Sequence, residues 1–255
     1  MTFKVMVTFV LLATHFPCAH AEGPKSEKDV GRDIVALYLG AAPLLAETET
    51  QEYINTLGHH IVGFLPDNQR ARDWTFGVIE TDSVNAFAAP GGYILITQGL
   101  LDLTETEDQL AFILAHEISH VVKEHHLSVI RKQSKLLSVV SRMQGKMTNQ
   151  SDTFSELSGI YRDFATRGLD KKAEHEADLD GTVLATKAGY NSHASMELLY
   201  VLSRYHDDGN ESELFFKTHP HPLTRVDLLI DLLPSAFEDY AVNSRPSSAF
   251  ERLKF

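Results

Sequence analysis

Cysteine, tryptophan and basic side chains are scarce in this chain. Its 255 residues include one cysteine, Cys18, and one tryptophan. A single cysteine excludes an intramolecular disulfide and a cysteine-based zinc ribbon. The 23 Lys and Arg residues are outnumbered by 35 Asp and Glu residues, which gives a formal net charge of −12. This acidic balance argues against binding to a phosphate backbone, so we expect no nucleic-acid partner.

Long apolar runs are also missing. A membrane-spanning helix needs about 20 apolar residues, and no segment of the sequence reaches that length. The apolar run 5–13 follows Lys4 and precedes Ala19-His20-Ala21. This order is typical of a secretory signal peptide, here over residues 1–21 with cleavage after Ala21. The alternatives are a buried N-terminal helix and a lipid anchor on Cys18, whose preceding residues match a lipobox poorly. We therefore expect an exported, periplasmic protein with no transmembrane segment.

The remaining composition is that of a globular protein, with 43% hydrophobic and 23% charged residues. Thr104 and Glu107 have capping-box spacing, which predicts a helix that continues from Asp108 to about His126. Apolar spacing predicts further helices over residues 28–40, 48–64, 171–188, 192–206 and 222–233. Three strands of a small antiparallel sheet are predicted over residues 74–80, 83–89 and 93–97. We expect a mostly helical α+β fold, with one domain over residues 22–235 and a tail over 236–255.

The most informative segment is His116-Glu117-Ile118-Ser119-His120, an HExxH pattern in a chain with 13 histidines. Residues at i and i+4 share one face of a helix, so both imidazoles can bind one metal ion. Glu117 lies one step round the helix, where its carboxylate can reach a metal-bound water. The pattern indicates a zinc hydrolase, although the same residues also occur on solvated surface helices.

Catalytic zinc usually has three protein ligands and one water, so the motif requires a further ligand. His126 has the metzincin spacing, but Lys123 stands where that pattern has its turn glycine, and an unbroken helix would point His126 away from the metal. Glu174 and Asp178 lie at i and i+4 on a second predicted helix. Glu174 could bind zinc there, and Asp178 could accept a hydrogen bond from a ligand histidine. The alternative for this charged run is a solvated helix face.

Several motifs in a fixed order resemble one family. They are Val84-Asn-Ala-Phe-Ala-Ala-Pro-Gly-Gly-Tyr93, the HExxH followed by His125, Glu174-x-x-Ala177-Asp178 followed by Gly181, and Thr218-His219-Pro220-His221 followed by Arg225. Over about residues 30–230 the chain is similar to the HtpX and CAAX-prenyl-endopeptidase metallopeptidases, a gluzincin group known as peptidase family M48. Its soluble exported members are the most similar in layout.

The resemblance implies a zincin-like endopeptidase that binds one zinc ion per chain through His116, His120 and Glu174. Glu117 would be the general base, and Asp178 would hold one ligand histidine. By the same resemblance, the substrates would be unfolded or misassembled envelope proteins. A peripheral association with the outer membrane would fit such substrates.

Further roles come from the same resemblance. His219 would be either a fourth zinc ligand in a resting state or a stabiliser of the oxyanion, and Arg225 would line the same side of the site. Asn85 and Ala86 would lie on an edge strand that pairs with the substrate backbone. His125 would support a ligand from behind.

Two other functions stay open at this point. One is a proteolytically silent, chaperone-like relative that only holds polypeptide, and the other is a zinc enzyme acting on something other than peptides. The complete set of catalytic residues disfavours the first, and the edge-strand motif disfavours the second. Residues 127–170, between the two ligand helices, are a candidate lid over the cleft.

Overall fold

The computed structural model describes residues 26–143, 168–210 and 214–232, and within them the chain is mostly helical with one small sheet. The helices are α1 (Glu27–Ala41), α2 (Thr48–Val62), α3 (Asp67–Arg70), α4 (Gln98–Leu103), α5 (Glu107–Val122), α6 (His125–Met143), α7 (Lys171–Lys187), α8 (Ala194–Tyr205), α9 (Leu214–Thr218) and α10 (Pro222–Leu232). The strands are β1 (Thr75–Ile79), β2 (Ala86–Ala89) and β3 (Tyr93–Thr97). The α+β prediction is confirmed. The predicted signal peptide, the tail and most of the candidate lid lie outside the described residues.

None of the described helices is both long enough and apolar enough to cross a membrane. The other helices pack around the sheet and one central helix, α5. Every residue of α5 from Gln109 to Val121 is buried. The HExxH motif therefore lies in the interior of the protein, and the alternative that it belongs to a solvated surface helix is wrong.

The sheet has the strand order β1-β3-β2, and its predicted all-antiparallel pairing is wrong. β3 runs parallel to β1 and antiparallel to β2. The centre of β3, residues Ile94 to Ile96, is buried on both faces, which is typical of a central strand rather than a hairpin edge. β2 is consequently an edge strand among the described residues, and Asn85 directly precedes it.

Both ends of α5 differ from the prediction. The helix is capped by Thr106, whose hydroxyl accepts a hydrogen bond from the backbone N–H of Gln109, whereas the Thr104 hydroxyl donates to the Leu101 carbonyl. At the other end, α5 stops at Val122.

The turn after α5 determines where the next two histidines, His125 and His126, lie. Glu124 adopts a left-handed conformation, with φ of 53°, and α6 begins immediately at His125. This backbone disfavours a non-glycine residue by about 1–2 kcal/mol. Lys123 stabilises the turn through ion pairs of 2.7 Å with Glu176 and with Asp180. The expectation that the helix continues through residue 126 is wrong, because the left-handed residue ends α5 and brings the rings of His125 and His126 beside that of His120.

A close helix crossing positions the second motif. α7 is capped by Asp170, whose side chain accepts a hydrogen bond from the backbone N–H of Ala173 at 2.9 Å. Further along, α7 passes so near α5 that a Cβ on Gly181 would lie 2.8 Å from the backbone N of His116. Only glycine fits this approach, which brings Glu174 and Asp178 against the HExxH helix.

Candidate active site

Four side chains from three elements converge on one point. The Nε2 atoms of His116 and His120 are 3.0 Å apart. The Glu174 carboxylate oxygens lie 3.7 Å from each of these nitrogens and 3.5 Å from Nε2 of His219. Zinc held tetrahedrally at about 2.0–2.1 Å from its ligands would separate them by roughly 3.4 Å. The observed distances therefore fit a zinc site made of three imidazoles and one carboxylate.

The burial of these groups supports the same conclusion. His116, His120 and Glu174 expose 4%, 1% and 1% of their surface. Burial raises the pKa of Glu174 well above its ordinary value and lowers the pKa values of both histidines. Oε2 of Glu174 has no hydrogen-bond partner among the described residues. A buried carboxylate oxygen without a partner is unfavourable, and a bound cation would satisfy it.

A buried ion pair lies behind His116. Oδ1 of Asp178 is 3.0 Å from Nδ1 of His116. Arg225 donates from Nε to Oδ2 at 2.8 Å and from Nη2 to Oδ1 at 2.6 Å. Burial alone would raise the pKa of Asp178, but the guanidinium holds it below the usual range. The carboxylate can thus keep the proton of His116 on Nδ1 and leave Nε2 free for a metal.

His120 has a corresponding partner from α6. Its Nδ1 lies 2.9 Å from Nδ1 of His125, whose Nε2 is 3.5 Å from Glu176. The ring of His126 lies 5.3 Å from that of His120 and also lines the cleft. Among the described residues, however, the clustered ligand atoms at this site include Glu174 and not His126.

The candidate base and the edge strand border the same cleft. Glu117 lines it together with Asn85 and Ala86. Burial raises the pKa of Glu117 to about 8. The side-chain oxygen of Asn85 accepts from the backbone N–H of Ala86 at 2.9 Å, while its Nδ2 has no partner among the described residues.

His219 reaches the cleft from the loop after α9. Its ring stacks on Phe215, with centroids 4.4 Å apart and planes 15° apart. Nδ1 lies 3.2 Å from the Phe215 carbonyl and 3.0 Å from the Thr218 hydroxyl, so Nε2 is the nitrogen directed at Glu174. His221 lies elsewhere, with its ring 4.7 Å from that of His206.

Sequence reasoning missed part of the cleft wall. Tyr38 and Leu169 also line it, and neither belongs to a recognised motif. Tyr38 is a helix residue at ordinary amphipathic spacing, so no local signal connects it with a site almost 80 positions away. The approach of His126 was missed because it depends on the left-handed turn at Glu124.

Comparison with known proteins gives a consistent result. The family model described as Peptidase family M48 matches residues 48–232. A beta-barrel assembly-enhancing protease of Yersinia pestis is 30% identical over 211 residues, which are 78% of this chain and 42% of that protein. The Escherichia coli protein of the same name is 28% identical over 212 residues, with the same coverage.

A further relative comes from a eukaryote. The mitochondrial metalloendopeptidase OMA1 of Schizosaccharomyces pombe is 28% identical over 164 residues, which are 64% of this chain and 48% of that protein. The chain thus spans less than half the length of each of these relatives.

Proposed function

The chain belongs to peptidase family M48, a family of metalloproteases, and from that premise we propose that it is a zinc-dependent endopeptidase. The observation that carries the proposal is the cluster of His116, His120, Glu174 and His219 in the cleft that Glu117 lines. Zinc, when bound, supplies a Lewis acid for the scissile carbonyl and lowers the pKa of water. The remaining steps belong to the side chains of this protein.

Glu117 is the general base of the proposed reaction. It accepts a proton from the attacking water and passes that proton to the leaving amine. Its position on the buried helix α5 fixes it beside the two histidine ligands. Glu117→Gln removes the acceptor with little change in volume, so it tests this role separately from zinc binding.

The edge strand β2 is the proposed binding site for the substrate backbone. An extended peptide can add to an exposed sheet edge through main-chain hydrogen bonds. Asn85 and Ala86 lie where this edge meets the cleft. The side-chain Nδ2 of Asn85, which is buried and has no hydrogen-bond partner among the described residues, is the proposed donor to a substrate carbonyl.

Arg225 is proposed to act through Asp178 rather than on the substrate. Two of its nitrogens bind the Asp178 carboxylate, which in turn faces Nδ1 of His116. This arrangement fixes the orientation of one ligand. Nη1 of Arg225 takes no part in this arrangement and has no hydrogen-bond partner among the described residues.

His219 is proposed to be a fourth ligand of the resting site, since its Nε2 lies 3.5 Å from Glu174. In that position it occupies the place that a catalytic water needs. His219→Ala should then raise basal proteolysis and self-cleavage. If His219 stabilises the oxyanion instead, the same substitution should lower kcat by roughly 10²–10³-fold. One kinetic comparison at equal zinc occupancy therefore separates the two roles.

The proposed substrates are unfolded or misassembled envelope proteins in the periplasm. Two bacterial relatives carry names that refer to β-barrel assembly, and the first 21 residues have the pattern of an export signal. A peripheral association with the outer membrane would place the enzyme near such substrates. One zinc ion per chain is expected.

The test of the proposal is cleavage of casein by the purified protein. We expect cleavage that stops on treatment with a chelator and returns when zinc is restored, with Glu117→Gln inactive at equal zinc content. Binding of casein without cleavage by the zinc-loaded protein would contradict the proposal. That outcome would indicate the chaperone-like alternative.

A further inference from the structure

Three large side chains line the cleft and are not among the catalytic groups: Tyr38, Phe87 and Leu169. Tyr38 and Leu169 pack against the same small apolar cluster, which is formed by Ile34, Ala89 and Ile130. The rings of Tyr38 and Phe87 are in contact, with centroids 4.0 Å apart and planes tilted by 36°. Tyr38, Phe87 and Leu169 are only partly buried, so their apolar surface is available for further contacts.

Tyr38 has a fixed position in this cleft wall of Tyr38, Phe87 and Leu169, because its helix α1 packs on the turn that follows β2. A Cβ on Gly31 would overlap the Pro90 carbonyl oxygen, so the helix and the turn are in direct backbone contact. Glu27 accepts a hydrogen bond from the backbone N–H of Gly91 at 3.0 Å. One turn beyond Gly31, the helix packs through Ile34 against neighbours from β2 and α6. Tyr38 is therefore presented to the cleft by a fixed helix, which lies outside the matched residues 48–232.

The neighbouring strand shows how a substrate would meet this wall. Side chains of an extended peptide alternate between two faces, so a peptide paired with β2 directs every second side chain to the face of Phe87. An apolar side chain placed there would cover Tyr38, Phe87 and Leu169 and lose its own hydration. A charged side chain would lose hydration there, and none of these three residues offers a charge of opposite sign.

We propose that Tyr38, with Phe87 and Leu169, forms a subsite that selects a large apolar or aromatic side chain in the peptide substrate. The inference rests on the proposed function, because it names the substrate class of the same cleft. It makes α1 a part of the substrate-binding machinery. Tyr38 contacts the substrate and takes no part in proton transfer.

The test uses peptides that differ only at one position near the scissile bond, which carries Phe, Leu, Ala or Glu. For wild type we expect kcat/KM to be highest with Phe and Leu. Tyr38→Ala should reduce the ratio of kcat/KM for the Phe peptide to that for the Ala peptide by about tenfold, which is the effect of removing apolar contact from a pocket. We expect this change mainly in KM. Tyr38→Phe should keep the preference. Tyr200→Ala, which changes a tyrosine that is 51% exposed on α8, should leave every rate unchanged.

Several results would overturn the subsite. A Tyr38→Ala enzyme whose rates fall equally for all four peptides would show a merely structural role, and a wild-type preference for Glu would exclude apolar selection. If Tyr38→Ala does not fold, Leu169→Ala provides the same test at another residue of the subsite.

Binding measurements with the Glu117→Gln protein distinguish failure of the proposed proteolytic function from failure of the subsite. Fluorescence anisotropy of the same labelled peptides reports the preference without cleavage. Selective binding of Phe over Ala that depends on Tyr38 would support the subsite even if no peptide is cut. Unselective binding would reject the subsite, whatever the proteolytic activity.

Discussion

The substitution Gly181→Ala sets helix propensity against helix packing. In a helix interior, alanine is favoured over glycine by about 1 kcal/mol. The new Cβ of Gly181→Ala would lie 2.8 Å from the backbone N and 2.9 Å from the Cα of His116. Ordinary carbon contacts occur at about 3.5–4.0 Å, so α7 must move away from α5 by roughly 0.6–1 Å. The atoms in conflict belong to backbone, and no side-chain rotation can relieve them.

The movement has consequences for stability and for the metal. Overpacking typically costs about 1–3 kcal/mol, which exceeds the gain in propensity. Glu174 and Asp178 move with α7, whereas His116 and His120 stay on α5. Metal sites require ligand distances correct to about 0.2 Å. We therefore expect zinc affinity to fall by about 10–100-fold, the effect typical of losing a group that holds a ligand in place.

The matched control is Gly40→Ala on α1, since no heavy atom of the described chain outside the local helix lies within 4 Å of that Cβ. It should raise the free energy of unfolding by up to about 1 kcal/mol. Urea unfolding of the zinc-free proteins and competition with a chelating dye measure the two quantities. If Gly181→Ala is stabilised like Gly40→Ala and keeps its zinc affinity, the argument from helix crossing is refuted.

The other predictions concern the ligands and their support. Glu174→Ala should lose its zinc while His126→Ala retains it, as measured by elemental analysis; the reverse would establish the metzincin-like site. Asp178→Asn should weaken zinc binding by about 10–100-fold and destabilise the fold by about 3–5 kcal/mol, because Arg225 stays buried without its charge partner. Near-normal affinity and urea midpoint would contradict this. Removal of zinc should lower the Tm, since zinc at 1,000 times its Kd contributes about 4 kcal/mol; an unchanged Tm would contradict a metal bound by the folded state.

Local periodicity made much of the site predictable. The i, i+4 spacing of His116 and His120, and of Glu174 and Asp178, fixes which residues share a helix face. It does not determine that the two helices cross. That inference came from the resemblance of several motifs, and the structure supplies its physical basis in the close approach at Gly181.

Features that depend on distant contacts could not be predicted. The strand segments were recognised, but alternation of side chains does not reveal which strand lies in the centre, and β3 proved to separate the other two. The left-handed turn at Glu124 contains no glycine that would predict it from the sequence. It is stabilised instead by ion pairs between Lys123 and α7, which are distant contacts. Tyr38 reaches the cleft through the docking of α1 on the turn after β2, which no local pattern encodes.

The most direct test of the central claim is a single-turnover cleavage assay at equal, verified zinc content. An unfolded protein substrate is mixed with excess wild-type enzyme or excess Glu117→Gln, and the new termini are identified by mass spectrometry. We predict internal cleavage by wild type and, for Glu117→Gln, the same zinc content and substrate binding with no cleavage. Equal cleavage by the two proteins, or none by the zinc-loaded wild type, would contradict the account.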